Sequence, residues 1–184
     1  MQPAQTLTPA DVLAFWRAAG PEKWFKKDVA FDAAIRERFA ALHEAATSGA
    51  LDGWSETAEG ALALVIVLDQ FSRNLFRGDR RTFAADPKAL ALADAAIKRG
   101  FDQQLSRTDR QFFYLPFMHS ERIEDQERSV ALYQALADPQ LLPFAEDHAD
   151  IIRRFGRFPH RNAVLGRDTT PQEQAFLDEG GFAG

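Results

Sequence analysis

The stretch Leu62-Ala-Leu-Val-Ile-Val-Leu68 is apolar at every position and is the strongest structural signal in the chain. A helix that is apolar on all of its faces is surrounded by other parts of the protein. The run could also form a buried strand, but Ala61, Ala63 and the long helical pattern around them favour a helix. We therefore predict a central helix from about Thr57 to about Phe76.

Residues that start and stop helices divide the rest of the chain into further helices. The pairs Thr8-Pro9 and Thr170-Pro171 are typical of helix starts, and Gly156 is typical of a helix end. Pro116 lacks the backbone N–H that a helix interior needs, so we expect it to limit the helix that begins near Ser106. About eight helices are predicted in all, beginning near Thr8, Asp28, Thr57, Asp86, Ser106, Ile123, Leu142 and Thr170.

No segment alternates between apolar and polar residues with the period of a strand, so the predicted fold class is all-α. Helices joined by short turns lie antiparallel to their neighbours, as in a bundle or in a solenoid of helical hairpins. The chain has 184 residues, which is enough for one domain and short for two. Because there is no linker and no low-complexity tract, residues 1–184 are predicted to form a single domain.

Composition excludes several classes of protein. The chain has no cysteine, which rules out zinc ribbons, thiol nucleophiles and disulfide frameworks. Its net charge of -5 gives no general attraction to nucleic acid or to an anionic membrane, and the apolar run Ala61 to Leu68 is much shorter than a membrane span. Met1 to Thr8 lacks the basic start and apolar stretch of a signal peptide. We therefore expect a cytoplasmic protein with no nucleic-acid or membrane partner.

Three polar segments are the candidates for function, and the first covers residues 69–77. Its polar side chains recur at intervals of about four residues, so they form two adjacent stripes on the exit turn of the central helix. They are Asp69, Gln70, Arg73, Asn74 and Arg77. These groups either face a ligand or complete a helix terminus in which Asp69 pairs with Arg73.

The second polar segment is Tyr114-Leu-Pro-Phe-Met-His-Ser-Glu121. A histidine near a carboxylate is suited to acid–base chemistry, because the pKa of histidine is close to neutrality. His119 and Glu121 are therefore catalytic candidates, together with His148 on the apolar face of a later helix. The alternative is that each of these histidines caps a helix or is satisfied inside the core.

The third polar segment, residues 153–162, concentrates positive charge in an otherwise acidic chain. Guanidinium groups bind carboxylate and phosphate oxygens in a bidentate manner. The ligand-binding candidates in this segment are Arg154, Arg157, His160, Arg161 and Asn162. The alternative is that the arginines pair with nearby acids, namely Glu146, Asp147 and Asp150.

All three segments resemble the signature blocks of a bacterial family, domain of unknown function 924. The matching stretches are Asp69-Gln-Phe-Ser-Arg-Asn74, Tyr114-Leu-Pro-Phe-Met-His-Ser-Glu121 and Arg154-Phe-Gly-Arg-Phe-Pro-His-Arg-Asn-Ala-Val-Leu-Gly166. The opening Val12-Leu-Ala-Phe-Trp16 is similar as well. Two positions depart from the family pattern: the family usually has proline at Ser72 and an aromatic residue at Arg17. The resemblance implies an all-helical fold related to tetratricopeptide-like superhelical arrays, and it implies no established activity.

The preferred hypothesis is a helical ligand-binding protein. It would hold a small anion, either a carboxylate or a phosphate, or an acidic peptide, in a groove lined by arginine. The proposed lining residues are Arg73, Arg77, Arg157 and Arg161. On this hypothesis Arg157→Ala weakens ligand binding more than it lowers stability.

Two alternatives use the same residues. In the first, a hydrolase-type enzyme holds its substrate with the arginines, and His119, His148 or His160 transfers protons. In the second, all of these groups form a buried polar network that only specifies the fold. No cofactor and no bound metal are predicted, and the oligomeric state is left open.

Overall fold

The structure, a computed structural model, describes residues 6–182 of the chain. Within this range the secondary structure is helical and contains no strand, so the predicted all-α class is confirmed. The prediction that Met1 to Thr8 is not a signal peptide falls largely on residues outside this range. Between residues 6 and 182 no helix is both long and apolar enough to cross a membrane.

The α-helices in this range are labelled in chain order. They are α1 (Pro9–Ala19), α2 (Pro21–Trp24), α3 (Val29–Thr47), α4 (Ala58–Val65), α5 (Ser72–Leu75), α6 (Asp86–Lys98), α7 (Arg107–Met118), α8 (Ile123–Leu136), α9 (Leu142–Phe155), α10 (Asn162–Leu165) and α11 (Pro171–Asp178). A π-helical turn, Ile66–Phe71, joins α4 to α5. Each predicted helix start lies at, or directly before, the start of an observed helix, whereas α2 and α10 were not predicted.

Local side-chain chemistry explains where several helices begin and end. The Thr8 hydroxyl accepts a hydrogen bond from the Asp11 N–H, and the Asp11 carboxylate accepts one from the Thr8 N–H, which together form a capping box. The same arrangement between Thr170 and Glu173 starts α11. Gly156 ends α9 with a φ of 69°, in the left-handed region that glycine adopts without strain.

The predicted end of α7 at Pro116 is wrong, because the helix continues to Met118. A proline lacks only its own backbone N–H. The residues after it can still donate theirs to the preceding turn, so one last turn can form. The carbonyl groups at this helix end are then bonded by a side chain from α8. Gln126 Nε2 donates to the carbonyl oxygens of Met118 at 2.7 Å and Ser120 at 2.6 Å.

The described residues form two compact units. The first unit contains residues 6–77 and 81–116, and the second contains residues 78–80 and 117–182. The predictions of a single domain and of a tetratricopeptide-like array remain predictions.

The first unit is built around the apolar run 61–68. Every side chain of this run is at most 1% exposed, as the sequence predicts for a central helix. Helix α4 packs against α1 and α6, while the π-helical turn and α5 pack against α3. The polar residues Asp69 and Gln70 follow directly in the π-helical turn and are also buried.

Aromatic side chains fill the space between these helices. Trp16 is 1% exposed and contacts the rings of Trp24, Phe71 and Phe112, with centroid distances of 5.9, 5.8 and 5.5 Å. The Trp24 indole N–H donates to the Trp16 carbonyl oxygen at 2.7 Å. This bond holds the short helix α2, which was not predicted from the sequence, against the core.

The second unit contains the helical hairpin of α8 and α9, which pack closely together. Its buried apolar cluster consists of Ile151, Ile152 and Phe158. The half-buried rings of Phe155 and Phe176 pack against this cluster from α9 and α11. Helix α11 is therefore part of the fold of this unit, and its position matters for the polar residues described below.

Gly60 in α4 allows the packing of the first unit to be tested. Alanine normally stabilises a helix by about 1 kcal/mol relative to glycine. A Cβ atom at Gly60 would overlap the Trp54 carbonyl oxygen and lie 2.9 Å from Thr57 Oγ1. We expect Gly60→Ala to lower the free energy of unfolding by about 2–3 kcal/mol, measured by urea denaturation. The control is Gly53→Ala, whose Cβ would meet no atom within 4 Å. Equal stability of the two variants would contradict the observed packing.

Candidate functional site

In the first polar segment, Arg73 lies between two carboxylates of the first unit. Its Nη1 atom is 3.2 Å from Asp69 Oδ1 and donates to Asp86 Oδ1 at 3.0 Å, while Nη2 donates to Asp86 Oδ2 at 3.3 Å. The Asp69 side chain is only 1% exposed, and it also accepts a hydrogen bond of 2.5 Å from Gln70 Nε2. These contacts match Arg73 with acids of its own unit.

Arg77 and Asn74 converge on a different carboxylate of the same unit. Arg77 donates through Nε and Nη2 to the two oxygens of Asp32, both at 3.0 Å, and Asn74 Nδ2 donates to Asp32 Oδ1 at 2.8 Å. Burial raises the pKa of Asp32, but the hydrogen bonds from Arg77 and Asn74 outweigh burial and lower it. The first polar segment therefore forms ion pairs within its own unit, and one of them is the Asp69–Arg73 pair of the helix-terminus interpretation.

Ser72 and His43 form a buried pair whose geometry does not activate a nucleophile. The Ser72 hydroxyl donates to the Leu68 carbonyl oxygen at 2.5 Å, so it can only accept from His43 Nε2, which lies 2.8 Å away. A catalytic serine would instead donate its proton to the imidazole. Burial also lowers the pKa of His43, and the pair is a structural contact at one of the two positions that depart from the family pattern.

Arg17, the other residue that departs from the family pattern, forms an ion pair in the first unit. Arg17 donates through Nε and Nη2 to the two carboxylate oxygens of Asp109, at 3.2 and 3.0 Å. Asp109 also receives a hydrogen bond of 2.8 Å from the Ser106 hydroxyl at the start of α7. A charged residue at position 17 is thus matched by an acid on a neighbouring helix.

In the second polar segment, Glu121 is fully engaged by groups of the second unit. Arg167 donates to its two oxygens at 2.8 and 3.0 Å, and the Phe158 N–H donates to Oε1 at 2.8 Å. Burial raises the pKa of Glu121, but the hydrogen bonds from Arg167 and Phe158 outweigh burial and lower it. A carboxylate that is held ionised in this way is a poor general acid.

The two candidate catalytic histidines have distinct surroundings. His148 Nδ1 is 2.7 Å from the Phe144 carbonyl oxygen; because a carbonyl only accepts, Nδ1 carries the proton. The His148 ring also contacts Phe182 at a centroid distance of 4.4 Å. His119 contributes its backbone carbonyl, which accepts from Arg161 Nη2 at 2.9 Å. Within residues 6–182, no three His, Asp or Glu side chains are grouped so that they could hold a metal ion.

In the third polar segment, Arg157 pairs with Glu173, which the sequence analysis did not identify. Arg157 donates through Nε to Glu173 Oε1 at 2.6 Å and through Nη2 to Oε2 at 2.9 Å. The same carboxylate accepts from Asn162 Nδ2 at 3.2 Å and from the Thr170 N–H at 2.7 Å. The hydrogen bond from Arg157 is the main reason that the pKa of Glu173 falls to about 2.

Asn162 connects this ion pair to the one at Glu121. Arg167 Nε donates to Asn162 Oδ1 at 2.9 Å, while Asn162 Nδ2 bonds Glu173. The result is a continuous polar network that joins the second and third polar segments to α11 within the second unit. Arg167 was also missed from the sequence, whereas the Thr170–Glu173 spacing of a capping box was a signal that could have drawn attention to Glu173.

The remaining cations of the third segment differ in their exposure. Arg161 is buried, and its guanidinium lies 4.6 Å from the Phe158 ring centroid. His160 contacts the rings of Phe158 and Phe182, at 5.7 and 5.1 Å. Arg154, in contrast, has a side chain that is 51% exposed. Arg154 is therefore the most accessible of the ligand-binding candidates in this segment.

An open depression lies on the surface of the second unit beside Arg154. Its volume is about 760 Å³, and it is lined by residues of α9, of the loop that follows it and of the start of α11. The lining residues are Arg154, Phe155, Arg157, Thr170, Gln172 and Glu173. The structure thus brings two of the sequence-predicted arginines, Arg154 and Arg157, to one concave surface.

Comparison with known proteins shows to which family this chain is related. A bacterial protein family of unknown function, DUF924, matches residues 12–181. The chain belongs to this family. A solved structure of a protein of unknown function from Agrobacterium tumefaciens is 53% identical in sequence and superposes with a TM-score of 0.91. The similarity covers 94% of this chain and 97% of that one. No protein with a curated function is detectably similar.

The ion pair at Glu173 makes the stability of this DUF924 protein depend on pH. The folded-state pKa is about 2, against an ordinary value of 4.5, so the stabilisation is complete above pH 4.5 and is lost as the pH falls toward 2. We expect Glu173→Gln to lower the melting temperature by about 4–8 °C at pH 7. The difference from wild type should shrink as the pH falls toward 2, measured by circular dichroism.

The control for this experiment is Glu179→Gln, which makes the same change at an exposed residue just beyond α11. It should match the wild type within about 2 °C at both pH values. A constant difference between Glu173→Gln and wild type from pH 7 to pH 2 would contradict the role of Glu173.

Proposed function

We propose that this protein binds a small anionic molecule, a carboxylate or a phosphate, or the acidic part of a peptide, in the depression beside Arg154. The depression has the properties of a binding surface for such a group: it is concave and it contains two guanidinium groups. Guanidinium groups recognise carboxylate and phosphate oxygens through parallel hydrogen bonds. The proposal keeps the anion-binding hypothesis but moves its centre to Arg154 and Arg157.

The proposal depends mainly on the state of Arg154. The carboxylate oxygen that it pairs with, Asp150 Oδ2, is 3.9 Å from Nη1, which is too long for a hydrogen bond. Both side chains are more than half exposed, so this contact contributes little to stability. The N–H groups of Arg154 are therefore available to an anion at a small cost.

Arg157 adds a second donor at the same surface. Its Nε and Nη2 atoms bond Glu173, and Nη2 also bonds the Asp168 carbonyl oxygen. Among the described residues, the hydrogen bonds of the Arg157 guanidinium use Nε and Nη2, and Nη1 donates to none of them. Arg157 thus stabilises the fold through Glu173 and can still donate to a ligand, which makes Arg157→Ala a poor test of binding alone.

The electrostatics of the depression favour a negatively charged ligand. Glu173 is the acid among the lining residues, and its side chain is only 3% exposed. Its two oxygens already accept from Arg157, Asn162 and Thr170. The negative charge of Glu173 is thereby compensated by Arg157, and the uncompensated charge among the lining residues is that of Arg154.

The contacts of Glu121 give less support to the enzyme hypothesis. Glu121 is held ionised by Arg167, which makes it a poor general acid. The network hypothesis is compatible with anion binding. The residues of the network stabilise the second unit, while Arg154 stays exposed.

We also propose a cytoplasmic location for the protein. The lack of cysteine supports this location, because the cytoplasm is a reducing compartment.

Isothermal titration with inorganic phosphate and with acetate tests this function. We expect Arg154→Gln to weaken binding of both anions by about tenfold, since it removes a charge-assisted hydrogen bond. The matched control is Arg153→Gln, which removes the same charge from the neighbouring exposed residue outside the depression. This control should bind within about twofold of wild type. Equal affinities of the two variants, or no anion binding by the wild type, would contradict the proposal.

A further inference from the structure

We infer that the anion recognised at this depression carries a planar aromatic group next to its charge, as an aromatic carboxylate or an aryl phosphate does. This inference rests on the proposed function and makes the class of ligand more specific. It follows from the way in which two phenylalanine rings hold the Arg154 guanidinium.

The guanidinium of Arg154 lies against two aromatic rings and forms no hydrogen bond with the nearby Asp150. Its central carbon lies 4.9 Å from the centroid of the Phe155 ring and 5.2 Å from that of Phe176. The two rings contact each other at 5.2 Å with planes inclined by 52°. Both rings also pack against the apolar cluster of the second unit, so they give the guanidinium a firm support.

This support determines which parts of Arg154 remain accessible. The two ring centroids are 5.2 Å apart and lie 4.9 and 5.2 Å from the guanidinium carbon, so both rings lie on the same side of it, while the side chain as a whole is 51% exposed. The side of the guanidinium that is turned away from the rings is therefore left for a ligand. A guanidinium binds acidic oxygens at its edge and stacks on aromatic rings through its face.

A ligand that uses both surfaces needs an anionic group and a flat ring close together. The anionic group would bind the N–H edge of Arg154 and the Nη1 atom of Arg157, which line the same depression. The ring would stack on the open face of Arg154, which would then lie between Phe155 and the ligand. Inorganic phosphate or acetate would use only the edge, so it would leave the stacking surface unused.

Replacement of Arg154 by lysine separates the two contributions. Lysine keeps the positive charge but has no planar face and no fork of donors, and the position is exposed enough to tolerate the change. We expect wild type to bind benzoate about fivefold more tightly than acetate, and phenyl phosphate about fivefold more tightly than inorganic phosphate. In Arg154→Lys this aromatic preference should fall to less than about twofold, measured by isothermal titration.

Cyclohexanecarboxylate distinguishes stacking from general apolar contact, because it has a similar size but no flat π-system. It should bind wild type no more than about twofold more tightly than acetate. Phe155→Leu is a second variant, which keeps apolar volume but removes one supporting ring, and it should also reduce the preference for benzoate over acetate.

The outcomes separate this inference from the proposed function. If wild type binds acetate and phosphate but shows no preference for the aromatic probes, or if the preference survives in Arg154→Lys, the aromatic ligand class is wrong while anion binding stands. Equal binding of cyclohexanecarboxylate and benzoate would also overturn it. If no anion binds at all, both the function and the ligand class are wrong.

Discussion

The ionised carboxylate of Glu173 is the group on which the polar structure of the second unit depends. A buried carboxylate is stable only when hydrogen bonds and an opposite charge compensate its lost hydration. Glu173 obtains both from Arg157, Asn162 and the Thr170 N–H. The same residue completes the cap of α11, so the docking of that helix and the orientation of Arg157 are coupled. The depression beside Arg154 is formed by the elements that this coupling holds together.

Internal pairing also determines which of the many arginines can serve a ligand. In the first unit, Arg73 and Arg77 are matched by acids from other parts of the chain. In the second unit, Arg157 and Arg167 are matched by Glu173 and Glu121. These four arginines are therefore balanced by acids within the folded protein. Arg154 differs because two aromatic rings lie against its guanidinium, and the carboxylate of Asp150 is too distant for a hydrogen bond.

The helices were predictable from sequence because their signals are local, whereas the site was predictable only in part. The apolar run 61–68 and the caps at Thr8 and Thr170 are formed by residues that are close in sequence. The helices predicted from these signals agree with the structure. The predicted helix end at Pro116 was wrong because a hydrogen bond from Gln126, in the next helix, supports the last turn at Met118. The ion pairs of the network join residues far apart along the chain, and no periodicity marks such partners. The sequence therefore identified Arg157 and Glu121 as candidates but did not identify their partners, Glu173 and Arg167.

Arginine side-chain NMR tests the central claim most directly, because each Nε–H group reports its own partner. In a titration of ¹⁵N-labelled protein with phosphate, we predict that the Nε–H resonance of Arg154 shifts in a saturable manner. The Nε–H of Arg157 is bonded to Glu173 at 2.6 Å and should move little. A saturable shift that appears first at Arg157, or that is absent from Arg154, would contradict the division between an internally paired arginine and an accessible one.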